Sequence, residues 1–89
     1  MTQVSETAEA RLKRLAMRSM RRGIKEMDLI LSAYAEARLT QMDEPGLTLY
    51  DALLSENDQE IYSWILGREP TPERFGALVE DIAQHAGAR

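Results

Sequence analysis

The feature that most limits what this chain can fold into is the spacing of its apolar residues, which recur every three or four positions and nowhere alternate. That period belongs to helices, and with no β-branched alternation to support a strand the fold class is all-α. Caps and breakers divide the pattern into five. Ala8, Leu12, Leu15 and Ser19 mark a narrow stripe on a first helix from Ser5 to Arg22, with Arg21 and Arg22 suited to the negative pole at its end. Met27, Ile30, Leu31, Tyr34 and Ala37 mark a second, from Ile24 to Leu39. Pro45-Gly46 reads as a strong breaker in the connection Thr40 to Gly46, and a short third helix over Leu47 to Ser55 packs Leu49, Tyr50, Leu53 and Leu54. Asn57 or Asp58 caps a fourth, Gln59 to Leu66, which turns Ile61, Trp64 and Ile65 inward and stops at Gly67. Thr71-Pro72-Glu73 reads as N-cap, first helical residue and first-turn acid of a fifth, with Phe75, Leu78, Val79 and Ile82 on one face and fraying after His85.

Short connections favour antiparallel neighbours, so residues 1–89 are expected to form one compact domain, a bundle of about five short antiparallel helices with 1–5 and 84–89 frayed. No stretch approaches the roughly 20 apolar residues of a membrane span, and the sequence shows no signal-peptide run. A cytoplasmic protein with no membrane partner is the expectation.

The chemistry available is narrow. Without cysteine there is no disulfide, thiolate cluster or thiol nucleophile, and little to hold zinc. The single histidine, His85, sits at a helix end, and Asp51, Glu56, Asp58 and Glu60 surround a helix start where capping and solvation account for them. No strand means no strand-borne phosphate loop. Trp64, Tyr34 and Tyr50 fall on apolar faces and read as core, whereas Tyr62 lies off its helix's inner face and reads as exposed. No catalytic, cofactor-binding or metal-ligating set emerges.

Charge is more informative. Residues 1–25 carry seven cations against Glu6 and Glu9, a balance of +5, while residues 26–89 carry four cations against thirteen carboxylates, a balance of −9. That asymmetry favours an acidic patch on a partner meeting the first helix, and disfavours a domain that coats nucleic acid. The densest cluster is Arg21-Arg22-Gly23-Ile24-Lys25-Glu26-Met27-Asp28, at the junction of the first two helices. A glycine there ends a helix by adopting positive φ, and Arg22 and Glu26 on either side offer charge-assisted hydrogen bonds to another chain.

That octapeptide, followed by Leu53-Leu54-x-x-x-Asp58-x-x-Ile61-x-x-Trp64-Ile65-Leu66-Gly67, resembles the succinate dehydrogenase flavinylation and assembly factor family, which includes bacterial SdhE and the mitochondrial assembly factor 2. The resemblance covers about residues 11–83, with both motifs in order. It implies a five-helix, non-enzymatic chaperone that binds the flavoprotein subunit of succinate dehydrogenase, or of fumarate reductase, and promotes covalent attachment of FAD to a histidine of that subunit. The factor itself would bind no FAD stably and act as a monomer. The family's Arg-Gly-x-x-Glu motif falls on Arg22, Gly23 and Glu26, and Arg21 and Asp28 complete the expected partner-binding set; Lys25 places a charge where the family often has an apolar residue. The alternative from another class is a small helical regulator or antitoxin-like protein binding nucleic acid or another protein, though no recognition helix rich in Arg, Asn and Gln is present.

Overall fold

The computed structural model describes residues 6–89. Among them are five α-helices and no strand: α1 (Ala8–Arg18), α2 (Lys25–Arg38), α3 (Glu44–Leu54), α4 (Asp58–Ile65) and α5 (Gly76–His85), with 3-10 turns at Leu39–Gln41 and Glu73–Phe75. The all-α expectation is met. The expected helix start at Ser5 and the segment 1–5 lie outside the described residues.

Helix α2 is the central element, in contact with α1, α4 and α5. It buries Met27, Leu31, Tyr34 and Ala35. Ala37, placed on the inner face by spacing, is exposed, because it falls about 120° round the helix from Leu31. The remaining core comes from Leu15 of α1, Leu47, Tyr50, Leu53 and Leu54 of α3, Ile61, Trp64 and Ile65 of α4, and Val79, Ile82 and Ala83 of α5, with Phe75 from the turn before α5. Trp64 stacks on Phe75 at 6.1 Å between ring centroids and is a core residue, as its apolar face suggested. Tyr62 is half-buried against the same cluster rather than exposed.

The helix boundaries show where local signals were misread. Pro45-Gly46 does not break the chain; it forms the first turn of α3, where a proline has no helical N–H to forfeit, and the Asp43 carboxylate caps that turn by accepting from the Gly46 amide at 2.9 Å. Thr71 caps nothing. Instead the Phe75 N–H closes a tight turn onto Pro72 O at 2.9 Å, which seats Phe75 against Trp64 before α5 begins. Two signals were read correctly. Asn57 caps α4 through Gln59 and Glu60, and Gly67, at φ 75°, ends it with the Arg68 amide bonded to Ser63 O. After His85 the chain turns at Gly87, and Arg89 reaches back to donate to Trp64 O at 2.9 Å.

The largest departure concerns the basic first helix. Arg11, Arg14 and Arg18 lie on one side of α1 and are spent on α3: Arg11 donates to Glu44 and Thr48, Arg14 to Asp51 at 3.0 and 3.1 Å, and Arg18 to Asp51 and Ser55. Arg14 also pairs with Glu6. The +5 segment is therefore not an open basic face. Its arginines tie α1 to the acidic side of α3, each partly exposed pair worth little alone and more as a network. Beneath them Ser19, fully buried, donates to Leu15 O at 2.8 Å and shares a 2.6 Å bond with the buried Tyr50 hydroxyl, whose pKa is raised by that burial.

Two outcomes follow. Trp64→Ala should cost about 3–5 kcal/mol in urea unfolding, the range for truncating a buried aromatic. The second concerns acid. Hydrogen bonds from Arg14, assisted by Arg18, hold the Asp51 carboxyl below the usual carboxylate range. A depressed pKa adds stability that is present above the unfolded value and lost as pH falls through the folded one. Asp51→Asn should therefore melt below wild type at pH 7, and the gap should begin to close only as pH falls below the unfolded carboxylate value of about 3.9.

Candidate functional site

The junction between α1 and α2 is built from both ends. The last turn of α1 closes with the Ser19 amide on Leu15 O at 3.0 Å and the Met20 amide on Met17 O at 3.1 Å. Arg21 then takes a left-handed conformation, φ 54°, and its amide donates to Asp28 Oδ1 at 2.9 Å. Ile24 is the extended N-cap of α2, with Glu26 and Asp28 in the first turn near the positive pole of the dipole.

Positive φ was expected at Gly23 and is found at Arg21 instead. Gly23 is needed for a different reason. Its amide donates to Asp58 Oδ2 at 2.5 Å, and a Cβ on it would stand 3.0 Å from that same oxygen. Asp58 is in turn fixed by Arg22, whose Nε donates to Oδ1 at 2.9 Å and whose Nη2 lies 2.7 Å from it. The remaining Arg22 donors reach Arg18 O at 2.9 Å and Leu54 O at 3.0 Å. The Arg22 and Asp58 side chains are only 11% and 15% exposed, so this pair is screened far less than the α1–α3 ladder.

Five residues were expected to face a partner: Arg21, Arg22, Gly23, Glu26 and Asp28. The structure divides them. Arg22 is turned inward and cross-links the ends of α1 and α3 to the start of α4. Asp28 is half-buried, engaged with the Arg21 amide and with Ser32. The Arg21 side chain, Glu26 and the neighbouring Lys25 are exposed and make no side-chain hydrogen bond or ion pair among the described residues. The corner thus presents Arg21, Lys25 and Glu26, while Arg22, Gly23 and Asp58 hold its shape.

Asp58 is the residue that sequence reasoning undervalued. It was read as a helix-start acid explained by capping, but the cap is Asn57, which leaves the Asp58 carboxylate free to grip a segment 35 residues away. The signal that pointed to it was its place in the second motif. At the other end of α2, the Tyr34 hydroxyl donates to Asp81 at 2.6 Å, and burial followed by that bond drives its pKa upward. The exposed His85 ring lies edge-on to Tyr34 at 5.8 Å.

Fold and site define a small helical domain presenting a charged corner locked from beneath. The family model described as the flavinator of succinate dehydrogenase matches residues 13–86, and the chain belongs to that family. Among curated relatives, the mitochondrial succinate dehydrogenase assembly factor 2 of Drosophila grimshawi is 37% identical over 84 residues, which is 91% of this chain and 57% of that protein. Its namesake in Candida glabrata is 40% identical over 75 residues, 81% of this chain and 49% of that protein. The one in Dictyostelium discoideum is 35% identical over 83 residues, 93% of this chain and 58% of that protein. The chain spans between about half and three-fifths of these relatives' length. No helix among the described residues is long and apolar enough to cross a membrane.

The lock makes a stability prediction. Asp58→Ala should cost about 3 kcal/mol in chemical unfolding, since it leaves a nearly buried guanidinium and an amide without their acceptor. Gly23→Ala should cost about 1–3 kcal/mol, because Asp58 is held on two sides and cannot give way to the new methyl.

Proposed function

We propose that this chain binds the flavoprotein subunit of succinate dehydrogenase, or of fumarate reductase, through the corner at Arg21, Lys25 and Glu26, and promotes covalent attachment of FAD to that subunit. The observation that carries the reading is that these side chains are left outside the fold's own ion pairs on a corner braced by Asp58. A rigid corner loses little entropy on docking, so charge-assisted bonds formed there count toward affinity. Membership in the family supports the choice of partner.

In this reading the chain is an assembly chaperone rather than an enzyme. The flavin belongs to the partner and supplies the reactive centre. The factor's own residues bind and orient: Glu26, at the first turn of α2, and Arg21, on the opposite side of Gly23, would engage the partner surface while Arg22 and Asp58 keep the two in register. By binding more tightly to the flavoprotein conformer in which flavin and acceptor are close, the factor raises that conformer's population. The chain itself would hold no FAD and act as a monomer, in the compartment where the flavoprotein is assembled; the sequence reading puts that in the cytoplasm, while the curated relatives are named as mitochondrial. The nucleic-acid alternative ranks lower because Arg11, Arg14, Arg18 and Arg22 are committed to internal carboxylates.

The test is covalent flavin fluorescence of the flavoprotein subunit on a denaturing gel, after expression with no factor, with wild type, or with Glu26→Ala. Signal should rise with wild type and stay at the factor-free level with Glu26→Ala. The substitution should alter stability by no more than about 0.3–1 kcal/mol, the value of an exposed first-turn carboxylate. Equal signal in the three lanes would remove the proposed role for that flavoprotein.

A further inference from the structure

The side of α1 turned away from the core is not polar throughout. Lys13, Met17 and Met20 follow one another at i, i+4 and i+7, opposite the buried Leu15 and Ser19, and lead directly into Arg21. Met17 is 68% exposed and Met20 46%, alongside Leu29 at 63% and Leu66 at 38% among the exposed large apolar side chains of the described residues. A depression of about 320 Å³ lies between Met17, Met20, Arg21 and Asp28, and a second, of about 290 Å³, lies between Arg18, Met20, Arg21, Arg22, Gly23 and Asp58. Single exposed apolar residues are ordinary, but two unbranched, adaptable thioethers side by side, next to a charged corner, have the makeup of an interface centre.

The charges around them are selective. Arg14 and Arg18 on one flank are paired with Asp51, whereas Lys13 and Arg21, at the two ends of the methionine pair, have no ion pair among the described residues. Asp28, the carboxylate in the first depression, is occupied by the Arg21 amide and Ser32. The ridge is therefore apolar at its centre with a cation free of ion pairs at each end, the half-buried Asp28 carboxylate lying beside Arg21, and it is continuous through Arg21 with the corner that carries Glu26.

We propose that the ridge Lys13, Met17, Met20 and Arg21 is a second docking element for the same flavoprotein, taking an apolar segment flanked by carboxylates. This inference rests on the flavoprotein reading above. It extends the contact from a single charged corner to a helix face, with burial of the methionines supplying affinity while Lys13 and Arg21 set orientation and encounter rate.

The experiment is titration calorimetry of this chain against the purified flavoprotein subunit, with circular-dichroism melting of each variant. Met17→Asp/Met20→Asp should weaken binding about tenfold or more. Met17 is mostly and Met20 about half in water, so the melting curve should move little. Met17→Leu should bind within about twofold of wild type, being a volume-conserving apolar exchange. Lys13→Glu should weaken binding at low salt and flatten its dependence on ionic strength. Wild type that fails to bind overturns the flavoprotein reading and this inference with it. Wild type that binds, alongside an equally tight Met17→Asp/Met20→Asp, overturns the ridge alone. A wild-type dimer in sedimentation, dissolved by the same substitutions while flavoprotein affinity holds, would assign the ridge to a second copy and also overturn it.

Discussion

The architecture around the candidate site depends on one carboxylate. Asp58 accepts from the Gly23 amide and from the Arg22 guanidinium, and Arg22 extends the same grip to the carbonyls at the ends of α1 and α3. Three helix termini and one loop therefore meet at a single ion pair. Its environment is dry enough for geometry to matter: with both side chains largely shielded, each nitrogen of the Arg22 guanidinium is matched to an acceptor, the condition under which a buried pair does not turn against the fold. The first turn of α4 also favours the negative charge, through the positive pole of that helix.

A division of labour among the cations follows. The arginines that point from α1 toward α3, and Arg22 at the corner, are consumed as struts, whereas Lys13 on the opposite side of α1 and Arg21 and Lys25 at the corner have no ion pair among the described residues. The sequence shows one basic block; the fold sorts it into a scaffold half and an available half. This explains why a domain with a +5 segment need not behave as a general polyanion binder, and why recognition would depend on a few side chains held at fixed separations. It also separates two kinds of motif residue. Glu26 makes no side-chain hydrogen bond or ion pair among the described residues, whereas Arg22 has three partners, the Asp58 carboxylate and the carbonyls of Arg18 and Leu54.

Much of the fold was legible because helices report themselves locally. The inner faces of α4 and α5 were read from spacing, and the stop at Gly67 from residue type, since only a residue free of a Cβ clash takes φ 75° at no cost. The misreadings share a cause. Pro45-Gly46 and Thr71-Pro72 carry signals for turn and helix start alike, and which one wins depends on what the following residues pack against: Leu47 in the first case, Phe75 on Trp64 in the second. At Gly23 the residue type was right and the reason was wrong, because left-handed φ is one need for glycine and close approach of another side chain is a different one.

The sequence by itself determined the all-α class, the number of helices, most of the faces they bury and the position of the charged corner, because each of these is set by residues within a turn or two of one another. It also carried the family resemblance, through two motifs read as strings. Only the tertiary structure decided what the motif residues do. The pairing of Arg22 with Asp58, the strain placed on Arg21 rather than Gly23, the consumption of the α1 arginines by α3 and the exposure of Met17 and Met20 all arise from contacts between residues far apart in the chain. Such contacts form only when the packed core fixes the helices against one another, and periodicity along a single helix holds no record of which neighbour its outer side chains will meet.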